Sequence, residues 1–277
     1  MTPAALLLAV AAQAATFQSS IQVVYIDAFV TRSGRAVQGL TDADFEVWDE
    51  GVRQPITLVP LEGVPLTAVM VFDVSGSVNA TKMEGLRSAG RALLAGLRDQ
   101  DEASLVAFSH EVRVVAPRGA GRNALAWALE DLRGSGGTAL WDALYAGLEL
   151  PRSRGRAMVV LFTDGADNVS WLTADQVRKV ASESEALVYV VTIGREPGSA
   201  LEDLEALAGD TGGRVWSAEG SHALDKAFLK ILDEMRTRYL LGYEPGLSAR
   251  EGWHRLTVKV KGGKGSVRSR PGYFLSR

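Results

Sequence analysis

Four stretches of this chain are apolar at nearly every position: TAVMVFD (67–73), ASLVAFS (103–109), RAMVVLFTD (156–164) and ALVYVVTIG (186–194). Runs of that length without alternation predict strands buried on both faces. Between them the apolar residues fall three or four apart, the spacing of one helix face. Met83, Leu86, Gly90, Leu93 and Leu97 form the first stripe, and Leu125, Ala128, Leu129 and Leu132 the second. Leu140, Leu144 and Leu148 follow, then Leu201, Leu204 and Leu207, and last Leu224, Phe228, Ile231 and Met235. Alternating strand and helix predict a doubly wound, mainly parallel α/β sheet with helices on both faces.

The two ends of the chain read differently. SIQVVYIDAFV (20–30) is rich in β-branched and aromatic residues, and DFEVWDEGVRQPITLV (44–59) predicts a hairpin turning at Asp49 to Gly51. Near the other end, RLTVKVK (255–261) alternates apolar and polar positions, KGGKG (261–265) is a turn, and SVRSRPGYF (266–274) is a strand broken at Pro271. Neither end carries enough strands for a stable sheet of its own. The expectation is one small β-sandwich built from residues 15–65 and 237–277, with the α/β domain, residues 66–236, inserted between its halves.

Residues 1–14, MTPAALLLAVAAQA, carry a nine-residue apolar run from Ala4 to Ala12 and end in a small-x-small pattern. They are expected to be a signal peptide, although no basic residue precedes the run. The run is too short to span a bilayer, and no later apolar run is of spanning length. The expected product is an exported protein, periplasmic or extracellular, without a transmembrane segment. A net charge of −3 gives no footing for nucleic acid. The absence of cysteine removes thiolate chemistry, cysteine-ligated zinc and disulfides.

The chemistry-bearing stretch is VFDVSGSVN (71–79), where Asp73, Ser75 and Ser77 alternate at the end of an apolar strand. A serine nucleophile needs a neighbouring base. The three histidines are His110, His222 and His254, and only His110 falls near the end of an adjoining strand. A phosphate-handling aspartate would want a second carboxylate at position 75 or a lysine-bearing glycine loop, and neither is present. A hard divalent cation takes about six oxygen ligands drawn from several loops. Thr138, after the glycines of GSGGTALWD (134–142), and Asp164, ending VVLFTDGADN (159–168), supply two more loops. In a parallel sheet such strand ends gather on one edge. Each residue also has a plainer role open to it: Ser75, Ser77 and Thr138 as helix caps, and Asp164 as the start of a turn.

D-x-S-x-S, a threonine in a glycine-rich loop and a strand ending T-D-G, in that order, resemble a von Willebrand factor type A domain with a complete metal-ion-dependent adhesion site. The resemblance covers roughly residues 66 to 236, and the flanks GLTDADFEVWDEGVRQPI, RYLLGYEP and SVRSRPGYF are similar to a bacterial exported family described as related to it. It implies Asp73, Ser75, Ser77, Thr138 and Asp164 as metal ligands, for magnesium, calcium or manganese. It also implies a protein partner that completes the shell with a Glu or Asp, and a binding module in place of an enzyme. Asn79, Asn168 and Trp171 are candidates for the partner-facing rim, and Asp142 and Asp167 for supporting acceptors. The rival expectations are a structural module whose metal only stabilises the loops, and a serine hydrolase. In related domains the last helix moves on ligation. Here that helix, Ala223 to Met235, runs almost directly into the strand at Tyr239.

Overall fold

The computed structural model describes residues 23–151, 156–193, 199–246 and 250–275. The expected signal peptide lies outside the described residues. Among them, no helix is long and apolar enough to cross a membrane.

The central unit runs β6 (Leu66–Asp73), α1 (Ala80–Gly96), β7 (Glu102–Phe108), β8 (Val112–Ala116), α2 (Arg122–Glu130), α3 (Leu140–Glu149), β9 (Arg156–Thr163), α4 (Ala174–Glu183), β10 (Leu187–Ile193), α5 (Ser199–Thr211), β11 (Arg214–Ala218) and α6 (Leu224–Thr237). Its strands lie in the order β11-β10-β9-β6-β7-β8, every pairing parallel except that of β7 with β8. All residues of β6 and β9 are buried, which is why their sequences are apolar without alternation. Ala68, Met70 and Phe72 face a core shared with α1, α2 and α6. Val69 and Val71 face the opposite core, under α3, α4 and α5. Three elements of this unit escape the sequence patterns. The edge strands β8 and β11 are short and half-exposed, and α4 buries only Val177 and Ala181.

The chain ends supply the remaining strands: β1 (Val24–Arg32), β2 (Arg35–Ala36), β3 (Phe45–Asp49), β4 (Val52–Gln54) and β5 (Thr57–Val59) before the central unit, and β12 (Tyr239–Tyr243), β13 (Gly252–Val260), β14 (Ser266–Arg268) and β15 (Gly272–Leu275) after it. They form two antiparallel sheets, β14-β1-β12-β5 with β2 on β1, and β15-β13-β3-β4. Ile26, Ala28 and Val30 of one sheet share a core with Phe45, Val47, Leu256 and Tyr273 of the other. Each sheet draws strands from both ends, alternating in the first and as two adjacent pairs in the second, so neither half completes a sheet alone. The hairpin turns at Glu50 and Gly51, both in the left-handed region (φ 48° and 80°), as a two-residue β-turn of this hand requires.

A polar cluster sits inside the sandwich. Asp49 accepts hydrogen bonds from the hydroxyls of Tyr243 and Tyr273, each at 3.0 Å, and meets His254 Nδ1 at 2.8 Å. His254 Nε2 lies 2.6 Å from the Arg250 carbonyl, so both ring nitrogens face acceptors, an arrangement that favours the imidazolium. Burial alone would push its pKa down, but the Arg250 carbonyl and the Asp49 carboxylate raise it above the ordinary value. Burial beside the same carboxylate pushes the Tyr273 hydroxyl up to about 12, so it stays a donor. A raised histidine pKa contributes stability that is full below the unfolded value, about 6.5, and lost as pH rises through the folded value. The wild-type unfolding midpoint is therefore expected to fall between pH 6 and pH 8.5 by more than that of His254→Gln. Parallel midpoint curves in urea would show the reading to be wrong.

Only Arg238 separates α6 from β12, and it is buried. Its guanidinium donates to the Tyr189 hydroxyl (3.1 Å), to the Asp27 carbonyl of β1 (3.1 Å), to the Gly212 carbonyl and to Glu234 (3.1 Å). Glu234, near the end of α6, also takes Arg268 of β14 at 2.6 Å, the Tyr189 hydroxyl at 2.6 Å and Arg214 at 2.9 Å. Burial opposes the Glu234 charge, but Arg238 and Arg268 outweigh it and hold the carboxyl below its ordinary range. Arg156 of β9 pairs with Asp27 beside this cluster. The end of α6 is thus tied to the sheet and to the sandwich at once. Any displacement of this helix has to break the Glu234 cluster or carry it along.

Candidate metal centre

β6 and β9 are parallel neighbours, so Asp73 at the end of one and Asp164 just past the end of the other emerge on the same sheet edge. Asp73 is fully buried. Its Oδ1 accepts from the Ser75 backbone N–H (2.9 Å) and its Oδ2 from the Thr163 hydroxyl (2.8 Å). From there the polar groups run on without a break. Ser75 Oγ lies 3.0 Å from Ser77 Oγ, and Ser77 Oγ donates to Asp164 Oδ1 at 2.6 Å. The two serines meet because the chain turns at this point, Val78 N–H donating to the Ser75 carbonyl at 3.0 Å, and not because the loop is extended as alternate spacing suggests.

Thr138 reaches the same edge through its glycines. Gly76 N–H donates to the Gly136 carbonyl at 3.0 Å, laying the second loop against the first. A Cβ on Gly134 would stand 1.5 Å from the Val74 carbonyl oxygen, and Gly136 sits at φ 86°, so neither position admits a side chain without movement. Gly134→Ala is expected to cost about 1–3 kcal/mol through this overlap and to push Thr138 out of register. A thermal melt within a degree of wild type would contradict that. Asn168 locks Thr138 in place, its Oδ1 accepting from the Thr138 N–H (2.8 Å) and its own N–H donating to the Thr138 carbonyl (3.0 Å).

The plainer roles fall to other residues. α1 is capped by Asn79, whose Oδ1 accepts from Lys82 N–H at 3.0 Å, so Ser75 and Ser77 are not its caps. The cap position of α3 is Ala139, and Asp167 and Ser170 from the third loop take the N–H groups of Leu140, Trp141 and Asp142 instead. In the turn after β9 it is Thr163, not Asp164, that hydrogen-bonds Gly165. In return Asp142 accepts from the N–H groups of Trp171 and Leu172. This leaves the Trp171 side chain presented to solvent at 94% exposure. Asn79 and Asn168 are exposed loop residues as well, each tied to the backbone through its side chain.

Burial raises the Asp73 pKa above the ordinary carboxylate value, against the hydrogen bonds from Ser75 and Thr163, and the Asp164 charge raises it further. Thr138 is buried at 4% exposure, at the head of α3. Two carboxylates and three hydroxyls, with no imidazole or thiolate, make a hard-oxygen donor set that fits magnesium, calcium or manganese. With only two acids it does not form a cluster of three or more acidic, histidine or cysteine side chains, and none occurs among the described residues.

Lys82 is the residue sequence reasoning missed. Its ammonium lies 2.5 Å from Asp164 Oδ2 and 3.3 Å from the Ser77 carbonyl. One signal was available: a lysine in the first turn of a helix opposes the backbone dipole, a local choice that wants a reason. The hydrolase expectation needs His110 beside Ser75, and the structure sets the His110 ring against Ser109 instead. His110 Nδ1 lies 3.3 Å from Ser109 Oγ and 3.4 Å from the Ser135 carbonyl, while Ser75 Oγ is engaged with Ser77.

A family model described as the von Willebrand factor type A domain matches residues 68–166, a span that contains all five oxygen donors. An uncharacterised protein of Synechocystis is 29% identical over 182 residues, covering 62% of this chain and 42% of the relative. The chain thus spans less than half the length of that relative. Among solved structures, a von Willebrand factor type A protein from Catenulispora acidiphila superposes with a TM-score of 0.56 at 17% identity, over 88% of this chain and 74% of the other. Proximal thread matrix protein 1 from the mussel byssus, whose metal-ion-dependent adhesion motif is zinc-occupied, gives 0.55 at 17% identity, over 67% and 49%. Sequence match, strand order and fold agree: the central α/β unit of this chain has the von Willebrand factor type A fold and matches that family's model over residues 68–166.

Proposed function

We propose that this protein is a divalent-cation-dependent binding module. In this reading Asp73, Ser75, Ser77, Thr138 and Asp164 hold one ion, magnesium before calcium or manganese, and a partner protein adds a Glu or Asp carboxylate. The observation that carries the reading is the row Ser75, Ser77 and Asp164 beside the buried Thr138, none of whose side chains caps a helix. The ion would supply a positive centre for an acidic side chain. The chain's own residues orient it: Thr163 and the Ser75 N–H fix Asp73, Asn168 fixes Thr138, and the glycine loop leaves the approach clear. Asn79, Asn168 and the exposed Trp171 form the rim against which a partner would pack.

Binding is favoured over catalysis because the hydroxyls lack a histidine partner and the domain family is one of interaction modules. Export, with residues 1–14 as a signal peptide, belongs to the same reading, as does the division into a sandwich (15–65 with 237–277) around an inserted domain (66–236). The test is crosslinking in magnesium against chelator, followed by mass spectrometry, with Asp164→Ala as control. A partner that crosslinks only in magnesium, and not to Asp164→Ala, fits the proposal. A partner retained in chelator refutes it. A metal that raises the melting temperature yet recruits nothing would leave the structural-module reading.

A further inference from the structure

We infer that Lys82 competes with the divalent cation for Asp164, and so sets how tightly this site holds its metal. The inference rests on the cation reading above. It starts from a contact: the Lys82 ammonium sits 2.5 Å from Asp164 Oδ2 and also donates to the Ser77 carbonyl, touching two of the five residues of the site. An ammonium has three donors and no acceptor, so it can never be a ligand itself. Its only possible part is to hold the same oxygen that a metal would want.

The local helix argues that this contact is no accident of a solvated side chain. With Asn79 as cap, Lys82 is the third residue of α1, where the exposed backbone N–H groups favour an acid, and the first turn of α1 holds no acid. Asp164 supplies the missing negative charge from another loop. Its side chain is 1% exposed while that of Lys82 is 28% exposed. The carboxylate is therefore fixed and shielded from water, where like charges repel more strongly than in solvent. Lys82, on a flexible four-carbon stem that already reaches solvent, is the partner able to leave. Charge points the same way. Asp73 and Asp164 carry two negative charges, and the ammonium offsets one. A divalent ion offsets both, and an ammonium kept in place beside it would be repelled.

The test compares manganese binding by chelator-stripped wild type, Lys82→Met and Lys82→Arg in isothermal titration. Lys82→Met is expected to bind about tenfold more tightly than wild type, tenfold being about 1.4 kcal/mol, while Lys82→Arg stays at or below wild type. A second measurement needs no variant: acylation of Lys82 by a water-soluble amine reagent, followed by mass spectrometry, should speed up when manganese saturates the wild type. Equal or weaker binding by Lys82→Met, or slower acylation in manganese, overturns the competition. If wild type binds and Lys82→Met binds no better, only this inference fails. If no variant binds manganese, the cation reading falls and takes the inference with it.

Discussion

Asp73→Asn is expected to unfold at a higher midpoint than wild type in chelator, and to lose the response to divalent cations. The two halves of that result have one cause. Asp73 is fully buried at the end of β6, and burial opposes its charge more than the Ser75 and Thr163 hydrogen bonds favour it. A carboxyl whose folded pKa is raised is stabilised by its proton, so the ionised form weakens the fold at neutral pH, and acidification toward its unfolded value relieves the strain. Asparagine keeps the shape without the charge. Its oxygen can still accept from the Ser75 N–H, and the Thr163 hydroxyl retains the Gly165 carbonyl as acceptor. What asparagine cannot do is neutralise a cation. Loss of a direct ligand should weaken magnesium or manganese binding by on the order of 100-fold or more, beyond the roughly 10–100-fold typical of outer partners. Thermal melts with and without metal check both halves. A variant less stable than wild type in chelator, or one still stabilised by metal, would refute the account of Asp73.

The second large effect lies far from the metal site. Glu234→Ala is expected to cost about 3–5 kcal/mol, the range for removing one partner of a buried ionic group. For a chain of this size each kcal/mol moves the melting midpoint by roughly 2–4 °C, so a fall near 10 °C is expected. The size follows from what is left behind. Arg238 is buried and Arg268 and Arg214 are only partly exposed, and all three guanidiniums lose the same carboxylate. Glu234→Gln, which keeps an acceptor for Tyr189 and Arg238, should lose less. Midpoints of both variants within about 1 kcal/mol of wild type in urea would mean that the cluster is dispensable. Because this cluster joins α6 to the sandwich, its loss should also free the end of the helix. Amide exchange of α6 in Glu234→Ala reads that directly.

Much of this molecule can be read from the chain because its strands are buried on both faces. The unbroken apolar runs at 67–73 and 156–164 mark β6 and β9, and the acids that end them mark the sheet edge. What the pattern hides is of two kinds. Edge elements carry weak patterns, since β8, β11 and α4 bury too little to show a period. Ionic clusters join residues far apart, and no local spacing announces them. Arg238 and Asp27 meet across 211 positions, and His254 and Asp49 across 205. Asp49 does leave a trace, standing at the inward-facing position of an alternation set by Phe45 and Val47. Glu234 leaves none, because an acid beside the Met235 stripe looks like helix surface. Lys82 lies between these cases, visible only as a charge on the wrong end of its helix.

Anomalous diffraction from crystals grown in manganese tests the central claim most directly. The account predicts one strong peak per chain, among the oxygens of Asp73, Ser75, Ser77, Thr138 and Asp164, with Lys82 turned away. The same peak should vanish in Asp73→Asn. A manganese peak elsewhere on the chain, or none at millimolar metal with the five oxygens placed as they are here, would contradict it.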